Sequence, residues 1–590
     1  MKKNNIISIH YGHNASVALM QDGKITFAVS EERFNRIKNS TGFPELSLRY
    51  IKDKFASDID YYVLTQKLPL GYKYLKKSDF KSSAYNSAYS KTEKNISLKT
   101  VLKFKLFPDY FYKSAKERFA SDAKNINKND KLEMEEYFSK TLNAEKNKII
   151  YLDHHLCHAH STLPFLENSK EKTLVFTLDG EGDGLCATVN IFENNEIKTI
   201  SKINRIHSLG YLYREVTAFM GMKPDEHEFK VMGMAPYAKE KYAETLLPIF
   251  ENILSLNDKD EFKCKNIPMQ LTKYYLRENL TYERFDNIAG AIQKFTENIT
   301  LEWVKRWILK TGIKKIAVAG GVFMNVKMNQ KIAEMPEVEC FTVTPSAGDE
   351  SLVLGGCLYG YKKFCQNNNL DFVVNPVKTY YLGTEYSEGE IKEFLNQNGY
   401  FSKHAISKPN NLNKIIAELL AKNEVIARFD GKMEFGARAL GNRSILSNPA
   451  SYENIRIINE MIKNRDFWMP FATSIAEEYA EEYIYNPKRT NGNYMVITYN
   501  TTEKASRELV AALHPYDKTS RPQIVNKELS PDYHVIIEEF RKLTGIGGIL
   551  NTSFNLHGEP NVEGPKDAMH TFEDSGLKYL VMGPYLIQKK

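Results

Sequence analysis

The stretch Lys172-Thr-Leu-Val-Phe-Thr-Leu-Asp-Gly-Glu-Gly-Asp-Gly184 joins an apolar, β-branched run to a turn with three glycines. The run 172–178 predicts a buried strand that ends at Asp179. Glycines that follow a strand let backbone amides approach an anion closely, so the turn is typical of phosphate binding. The stretch therefore predicts an α/β domain with a ligand site at the strand end.

Just upstream, Asp153-His-His-Leu-Cys-His158 has metal-ligand spacing. On a helix, His154 and His158 lie on one face and can present two imidazoles to one cation, while His155 faces elsewhere. Asp179 at the strand end is a candidate third ligand. The alternative is that these histidines line a helix and bond locally, and the pair alone leaves both interpretations open.

Residue identity excludes two common motifs. A zincin protease needs Glu directly after its first histidine, and that position holds His155. The dinucleotide fingerprint needs a glycine where Leu185 stands, and no Gly-Lys-Ser/Thr P-loop occurs in the chain. We therefore expect neither a zincin protease nor a dinucleotide-dependent enzyme.

Composition predicts an ordinary globular protein with two or three domains. The 590 residues are 42% hydrophobic, 12% aromatic and 26% charged, and the net charge of +7 does not require nucleic acid as a partner. The sequence offers no signal peptide and no apolar span of about 18 residues, so we expect a cytoplasmic protein without membrane insertion. Its six cysteines include no C-x-x-C pair, which argues against a disulfide framework or a thiolate zinc site.

The chain opens with a predicted hairpin. The apolar runs Ile6–His10, Ser16–Met20 and Lys24–Val29 alternate with short polar segments, and the last two flank an Asp22-Gly23 turn. The loop at 11–16 is rich in small polar residues, as in a substrate loop, although it also fits a plain turn.

From about residue 67 to 148 the chain is rich in lysine, serine and tyrosine, with a predicted helix at Asp130–Phe138. We interpret this segment as an inserted helical subdomain. It either covers a site or elaborates the surface.

Further along, predicted strands run into glycine-bearing turns. Lys315–Ala319 is followed by Gly320-Gly321, and Glu339–Val343 is followed by Pro345–Asp349. This layout is typical of an α/β domain whose ligands collect at strand ends. The polar stretch Gln366–Pro376 predicts a linker.

A second α/β domain is predicted beyond the linker, with candidate strands at Glu424–Phe429, Ile549–Asn551 and Tyr579–Val581. Its turns contain arginines, most densely in Gly436-Ala-Arg-Ala-Leu-Gly-Asn-Arg-Ser444. Guanidinium forks in such turns favour phosphate or carboxylate ligands. The alternative, interdomain ion pairing, is less favoured because Lys463, Arg465 and Arg521 recur in similar turns.

Taken together and in this order, the motifs resemble the NodU/CmcH family of O-carbamoyltransferases over nearly the whole chain. The resembling segments include Gly12–Ser16, Glu31-Glu-Arg-Phe34 with Lys38, Asp153–Thr162, Asp179–Gly184, Phe229–Pro236, Gly320–Asn325, Pro345–Gly356, Glu434–Ser444, Arg521–Gln523 and Asn551–Pro560.

The resemblance implies two domains and two chemical steps. Residues 1–370 would form an actin-like (ASKHA, RNase H-like) α/β domain with a helical insert at about 67–148, and residues 371–590 a YrdC-like α/β domain. The YrdC-like domain would convert carbamoyl phosphate and ATP, with Mg²⁺, into carbamoyl-adenylate, releasing phosphate and pyrophosphate. The actin-like domain would then transfer the carbamoyl group to an acceptor hydroxyl, and AMP would leave.

The family positions also imply site residues. The metal ligands would be His154, His158, Asp179 and Asp349, holding iron in the first place, with manganese or zinc as alternatives. His13 would be the general base, and Lys38 and Asp179 would also be catalytic. The residues implied in binding the nucleotide or carbamoyl-adenylate are Lys230, Gly233, Gly321, Asn325, Arg438, Arg443, Lys463, Arg465, Arg521 and Ser553.

Three positions depart from the family pattern. Asn14 stands where many relatives have Asp, Ala437 where they often have Pro, and Met469 where they often have Arg. The expected acceptor is a small molecule or sugar hydroxyl, with no nucleic acid, and the oligomeric state is open, a homodimer being one option. The alternative function is a threonylcarbamoyl-type tRNA-modifying enzyme, for which the sequence offers no aromatic-basic RNA-binding module.

Overall fold

A computed structural model describes residues 4–55, 58–69, 72, 75, 128–168 and 170–590. Of the predicted insert at about 67–148, the described part is a few residues at its start and its C-terminal end. There, the helix Lys128–Leu142 contains the predicted helix Asp130–Phe138. The remainder of that prediction lies outside the described residues.

The N-terminal strands form a five-stranded sheet. Its members are β1 (Asn5–His10), β2 (Ser16–Gln21), β3 (Lys24–Ser30), β4 (Tyr61–Leu64) and β5 (Ile149–Tyr151), in the order β3-β2-β1-β4-β5. The first three strands are antiparallel, whereas β4 and β5 run parallel to β1. Asp22 and Gly23 both adopt positive φ angles, 50° and 74°, as an Asp-Gly hairpin turn requires. The predicted hairpin is confirmed.

A second five-stranded sheet repeats this arrangement. It contains β6 (Thr173–Gly182), β7 (Leu185–Glu193), β8 (Glu196–Asn204), β11 (Lys315–Ala319) and β12 (Cys340–Val343), in the order β12-β11-β6-β7-β8; the hairpin β9 (Leu254–Leu256) and β10 (Phe262–Cys264) stands apart. Again three antiparallel strands are extended by two parallel ones. The strand predicted to end at Asp179 continues to Gly182, because after a register shift Gly182 pairs with Leu185 of β7 across the turn at Asp183 and Gly184.

Helices pack around these two sheets. In the described part of the N-terminal half they are Glu32–Asn35, Glu45–Lys54, Lys128–Leu142, His154–Ser161, Leu209–Phe219, Glu228–Met234, Glu240–Glu251, Thr272–Leu280, Phe285–Thr311, Val326–Glu334 and Leu352–Asn367. The last, here the glycine helix, lies against the helix His154–Ser161, here the histidine helix. A Cβ on Gly355 would fall 1.8 Å from the Cys157 carbonyl oxygen, so glycine is required for this close approach.

The C-terminal half is built on an eight-stranded mixed sheet. Its strands are β13 (Ala405–Ser407), β14 (Ile426–Phe429), β15 (Arg443–Ser447), β16 (Ala472–Ala476), β17 (Gln523–Val525), β18 (Gly548–Ser553), β19 (Tyr579–Met582) and β20 (Tyr585–Gln588), in the order β13-β20-β19-β14-β15-β18-β16-β17. Its helices are Glu388–Gln397, Tyr400–Lys403, Leu412–Ala421, Tyr452–Ile458, Ala480–Tyr483, Glu503–Glu508, Pro531–Thr544 and Pro565–Glu573. The three strands predicted here are all found, as β14, β18 and β19.

The two halves of the chain share one buried interior. Phe165 of the N-terminal half packs edge-on against Tyr380 and Tyr494, with ring centroids 5.9 Å and 6.2 Å away. The glycine helix reaches Asn367, and the rest of the predicted linker, 368–376, has no regular structure. Among the described helices, none combines the length and apolar character needed to cross a bilayer.

Candidate active site

The histidine helix is held in place by its own cap. Asp153 accepts a hydrogen bond from the Leu156 amide at 3.1 Å, which fixes the first turn and starts the helix at His154. The predicted i, i+4 geometry is therefore present, and His154 and His158 turn their Nε2 atoms to the same point. His155 faces away, as expected, and bonds to Thr177 at 2.8 Å.

Two aspartates complete this cluster, one from a strand and one from the segment that follows another strand. Asp179 on β6 lies 3.1 Å from Nε2 of His154 and 3.3 Å from Nε2 of His158. Asp349, in the loop after β12, lies 3.6 Å and 3.5 Å from the same two atoms. One ligand atom from each of the four residues lies within 4.8 Å of the others. The fold thus brings together all four predicted ligands.

The electrostatics of the cluster suit a cation. Burial and the neighbouring Asp179 carboxylate raise the pKa of Asp349 well above its usual range. Burial also opposes ionisation of Asp179, but hydrogen bonds from His154 and His158 hold its pKa well below the usual range. Two adjacent buried carboxylates repel each other unless a positive charge lies between them, and two imidazoles with two carboxylates are a donor set for iron, manganese or zinc.

The glycine run after β6 lies against the histidine helix. A Cβ on Gly182 would lie 2.1 Å from Cδ2 of His154, so this glycine makes room for the imidazole. The Asp183 carboxylate accepts the amide N–H groups of Lys67, Leu68 and His154, each at 2.9 Å. Gly182 and Asp183 therefore position the histidine helix, and phosphate binding by this turn stays a prediction. Outside the run, Gly321 is similarly constrained, since its Cβ would lie 2.9 Å from Oδ1 of Asp179.

His10 is a site residue that sequence reasoning missed. It is fully buried at the end of β1, with Nδ1 2.8 Å from the Thr65 hydroxyl and Nε2 3.0 Å from the His13 carbonyl oxygen. A carbonyl only accepts, so Nε2 carries the proton and Nδ1 accepts from Thr65. Burial, reinforced by His154, lowers the pKa of His10 to about 3, so the ring is neutral.

His10 Nε2 also lies 3.8 Å from Asp349. The ring therefore connects the loop at 11–16, here the His13 loop, to the group formed by His154, His158, Asp179 and Asp349, here the acidic cluster. The available sequence signal was a polar residue ending an otherwise buried strand. Such a residue needs a specific partner there.

Three arginines of the C-terminal half lie together, and among the described residues Glu350 is the acidic side chain found to act on one of them. Burial lowers the pKa of Arg438 and of Arg465 to about 10, and burial together with Arg438 and Arg465 lowers the pKa of Arg521 well below its usual range. A bound anion would raise all three pKa values again, because it favours the charged guanidinium. Arg438 adds to the shift at both others, which places the three guanidinium groups within electrostatic range of one another. Within the described residues, Glu350 is the acidic side chain that acts most on Arg438. The three arginines Arg438, Arg465 and Arg521, here called the cation cluster, are suited to binding a polyanion.

Lys463 lies beside these arginines but is already engaged. Its buried ammonium group donates to the carbonyl and side-chain oxygens of Ser553 and Asn555 at 2.5–3.2 Å. Burial lowers the pKa of Lys463 well below its usual range, and Arg465 and Lys38 add to the shift. Lys463 therefore fixes the loop after β18 and brings Ser553 next to the arginines.

Other predicted residues have structural partners. Arg443 is fully buried, donates to the Asp430 carbonyl at 2.9 Å and stacks 3.8 Å over the Phe429 ring, unlike the half-buried Arg438 in the same turn. Asn325 caps the helix Val326–Glu334 by accepting the Met328 amide at 3.0 Å. These contacts favour a structural contribution from Arg443 and Asn325.

Two further predicted residues lie where the halves meet. Lys230 pairs with Asp466 at 2.9 Å, and the Gly233 carbonyl accepts a 2.7 Å bond from His514. Met469 lies against Gly233, whose Cβ would be 2.9 Å from the methionine sulfur, so this departure from the family pattern is a packing contact.

The other two departures also have a structural setting. The Ala437 amide donates to the Ser346 hydroxyl at 3.0 Å, a bond that proline could not make. Asn14 adopts a left-handed φ of 59°, a conformation that Asn tolerates well.

The acidic cluster and the cation cluster face each other across the two halves. Glu350 directly follows Asp349, is buried, and exerts its charge on Arg438. His13 in turn acts on Glu350. The two predicted sites thus lie on one boundary between the N-terminal and C-terminal halves.

Comparisons with known proteins find relatives that match nearly the whole chain. An uncharacterised protein of Methanocaldococcus jannaschii is 32% identical over 99% of both chains. Nodulation protein NolNO of Sinorhizobium fredii is 29% identical, over 98% of this chain and 79% of that protein. Among solved structures, full-length HypF in the phosphate- and nucleotide-bound form is 12% identical, with a TM-score of 0.32 over 63% of this chain and 57% of that one.

Family models match both halves of the chain. The carbamoyltransferase N-terminus model matches residues 5–358, and the carbamoyltransferase C-terminus model matches residues 417–589. The first match alone spans more than half of the 590 residues. With both halves matched in their family order, the chain belongs to the carbamoyltransferase family and is a carbamoyltransferase enzyme.

Proposed function

We propose that this enzyme is an ATP-dependent O-carbamoyltransferase that works in two steps. In the first step, water releases phosphate from carbamoyl phosphate, and the resulting carbamate oxygen attacks the α-phosphate of ATP and expels pyrophosphate. In the second, an acceptor hydroxyl attacks the carbamoyl carbon of the adenylate, and AMP leaves with the electrons of the broken C–O bond.

The first step is assigned to residues 371–590 as a YrdC-like domain, and the second to residues 1–370 as an actin-like domain. The repeated strand order of the two N-terminal sheets supports an actin-like duplication. The observation that carries the proposal is the cation cluster of Arg438, Arg465 and Arg521, since fixed, partly desolvated cations stabilise the charge of two polyanionic substrates. Ser553, held by Lys463, would bond to the adenylate.

In the second step, His13 would accept the proton of the acceptor hydroxyl. His10 supports this role because it bonds to the His13 carbonyl and so fixes the loop. His154, His158, Asp179 and Asp349 would hold a divalent cation, which supplies Lewis-acid stabilisation of negative charge on phosphate oxygens. The acceptor is proposed to be a small-molecule or sugar hydroxyl.

The test is a pair of product assays with the full chain, ATP, Mg²⁺ and carbamoyl phosphate. We expect phosphate and pyrophosphate release that depends on carbamoyl phosphate. Arg521→Gln should lower pyrophosphate release by about 100-fold, as expected when a charge-stabilising group is lost, whereas exposed Arg489→Gln should not change it. Folded protein that releases neither product would refute the proposal.

The threonylcarbamoyl-type tRNA-modifying alternative is not favoured, because both halves match carbamoyltransferase models. A transfer activity that depends on RNA would support this alternative instead.

A further inference from the structure

The segment Glu31–Gly42, here called the arm, contains the motif Glu31-Glu-Arg-Phe34 with Lys38, and the two proposed steps give no role to its arginines. It leaves β3, forms the short helix Glu32–Asn35 and turns at Arg36 with a left-handed φ of 59°. The arm is part of the N-terminal half. Its two arginines nevertheless point into the C-terminal half.

One side of the arm is tied to the loop that bears His13. The Glu31 amide donates to the Ala15 carbonyl at 2.8 Å, and the Ala15 amide donates to the Ser40 carbonyl at 2.9 Å. The Gly42 amide donates to the Gly12 carbonyl at 3.2 Å. Glu31 also accepts the Ser47 amide at 2.8 Å. The arm and the His13 loop therefore form one hydrogen-bonded unit.

The other side of the arm binds two loops of the C-terminal half. Arg33, only 6% exposed, donates through Nη2 to the Gly436 carbonyl at 2.8 Å and through Nη1 to the Asn561 carbonyl at 3.3 Å. Arg36 donates to the Asn561 carbonyl at 2.7 Å and to the Pro560 carbonyl at 2.9 Å. One guanidinium fork thus spans two loops that are distant in sequence.

One of those loops, the one that contains Gly436, leads to the cation cluster. Gly436 is two residues before Arg438, and a Cβ there would lie 2.5 Å from Ser346, so this loop has little freedom to shift. At the tip of the arm, Lys38 is within electrostatic range of Arg465 and Lys463. A change in the arm would therefore move Lys38 in the N-terminal half and Arg438 in the C-terminal half.

We propose that the arm completes the adenylate-forming site from the N-terminal half, with Arg33 as the positioning residue that sets Arg438 and Lys38 for carbamoyl phosphate and ATP. This inference rests on the proposed two-step function. It gives Arg33, a residue of the N-terminal half, an effect on adenylate formation. The proposed function by itself assigns that step to the C-terminal half.

The test uses the full chain and follows pyrophosphate release with ATP, Mg²⁺ and varied carbamoyl phosphate. Wild-type release is measured first, and its absence would count against the two-step function rather than against the arm. We expect Arg33→Ala to lower kcat/KM for carbamoyl phosphate by about 10- to 100-fold, the usual effect of losing a supporting hydrogen bond in a site. Arg33→Lys, which can reach one loop at a time, should recover part of that loss. The control is Arg49→Ala, which removes an exposed pair with Glu45 and should behave as wild type.

Arg36→Ala provides a second variant in case Arg33→Ala does not fold, since Arg36 is a quarter exposed and pairs at 3.5 Å with Asp567. It should raise KM for carbamoyl phosphate while the thermal midpoint stays near wild type. A purely structural arm would lower the midpoint and leave the kinetics of the folded fraction unchanged. That result in Arg36→Ala, or wild-type kinetics in folded Arg33→Ala, would overturn the proposal.

Discussion

The substitution Gly182→Ala tests why the glycine run follows β6. The new Cβ would lie 2.1 Å from Cδ2 of His154. Carbon atoms pack at about 3.5 Å or more, so the imidazole would have to retreat by about 1.4 Å. Metal–ligand distances tolerate only about 0.2 Å, and a misplacement of about 1 Å can cost 100-fold. We therefore expect metal affinity to fall by about 100-fold, or roughly 2.7 kcal/mol.

The matched control is Gly180→Ala in the same run. Its Cβ would meet Tyr211 at 3.6 Å, an ordinary contact, so metal affinity should change by less than about threefold. The assay is calorimetric titration of metal-free protein with Mn²⁺ or Zn²⁺, with thermal midpoints to check folding. If Gly182→Ala bound metal like wild type, or if both variants lost affinity equally, the packing explanation would be wrong.

Three further predictions follow from the same contacts. His10→Gln keeps a donor at the Nε2 position and should retain most of the carbamoyl-transfer rate. His10→Asn keeps only the hydrogen bond to Thr65, so its transfer rate should fall by about 10- to 100-fold. Equal transfer rates in the two variants would contradict the role of the bond to the His13 carbonyl. Asp179→Asn should abolish transfer to the acceptor but preserve pyrophosphate release, and a parallel loss of both products would contradict the division between the halves. Burial and Asp225 raise the pKa of Glu228 to about 7, so the folded state holds more protons than the unfolded state from pH 4.5 to about 7, and stability should fall as pH rises through that range. Urea midpoints of Glu228→Gln should lack this fall, and an unchanged pH profile would reject the assignment.

Local patterns in the sequence were sufficient for the hairpin, the predicted strands and the histidine pair. Their signals, an Asp-Gly turn, β-branched runs and i, i+4 spacing, act within one element. Asp349 was predicted only through resemblance, because its approach to Asp179 depends on the parallel pairing of β6, β11 and β12. No local pattern contains that pairing.

Other contacts of the sequence motifs also depend on segments distant in sequence. The glycines after β6 predict a phosphate turn, which stays a prediction, and the space beside Gly182 is filled by an imidazole from another segment. Arg438 and Arg443 occupy one turn and are alike in sequence. Burial and three main-chain carbonyl partners set Arg443 apart, and these become visible only in the folded chain.

The measurement that tests the central claim most directly is exchange of labelled pyrophosphate into ATP, dependent on carbamoyl phosphate and without acceptor. The protein should first be treated with a chelator that removes any metal held by His154, His158, Asp179 and Asp349, and Mg²⁺ is then supplied for ATP. Reversible adenylate formation in the C-terminal half predicts that exchange persists and is lost in Arg521→Gln. Folded protein that shows no exchange, or exchange that survives Arg521→Gln unchanged, would contradict the account.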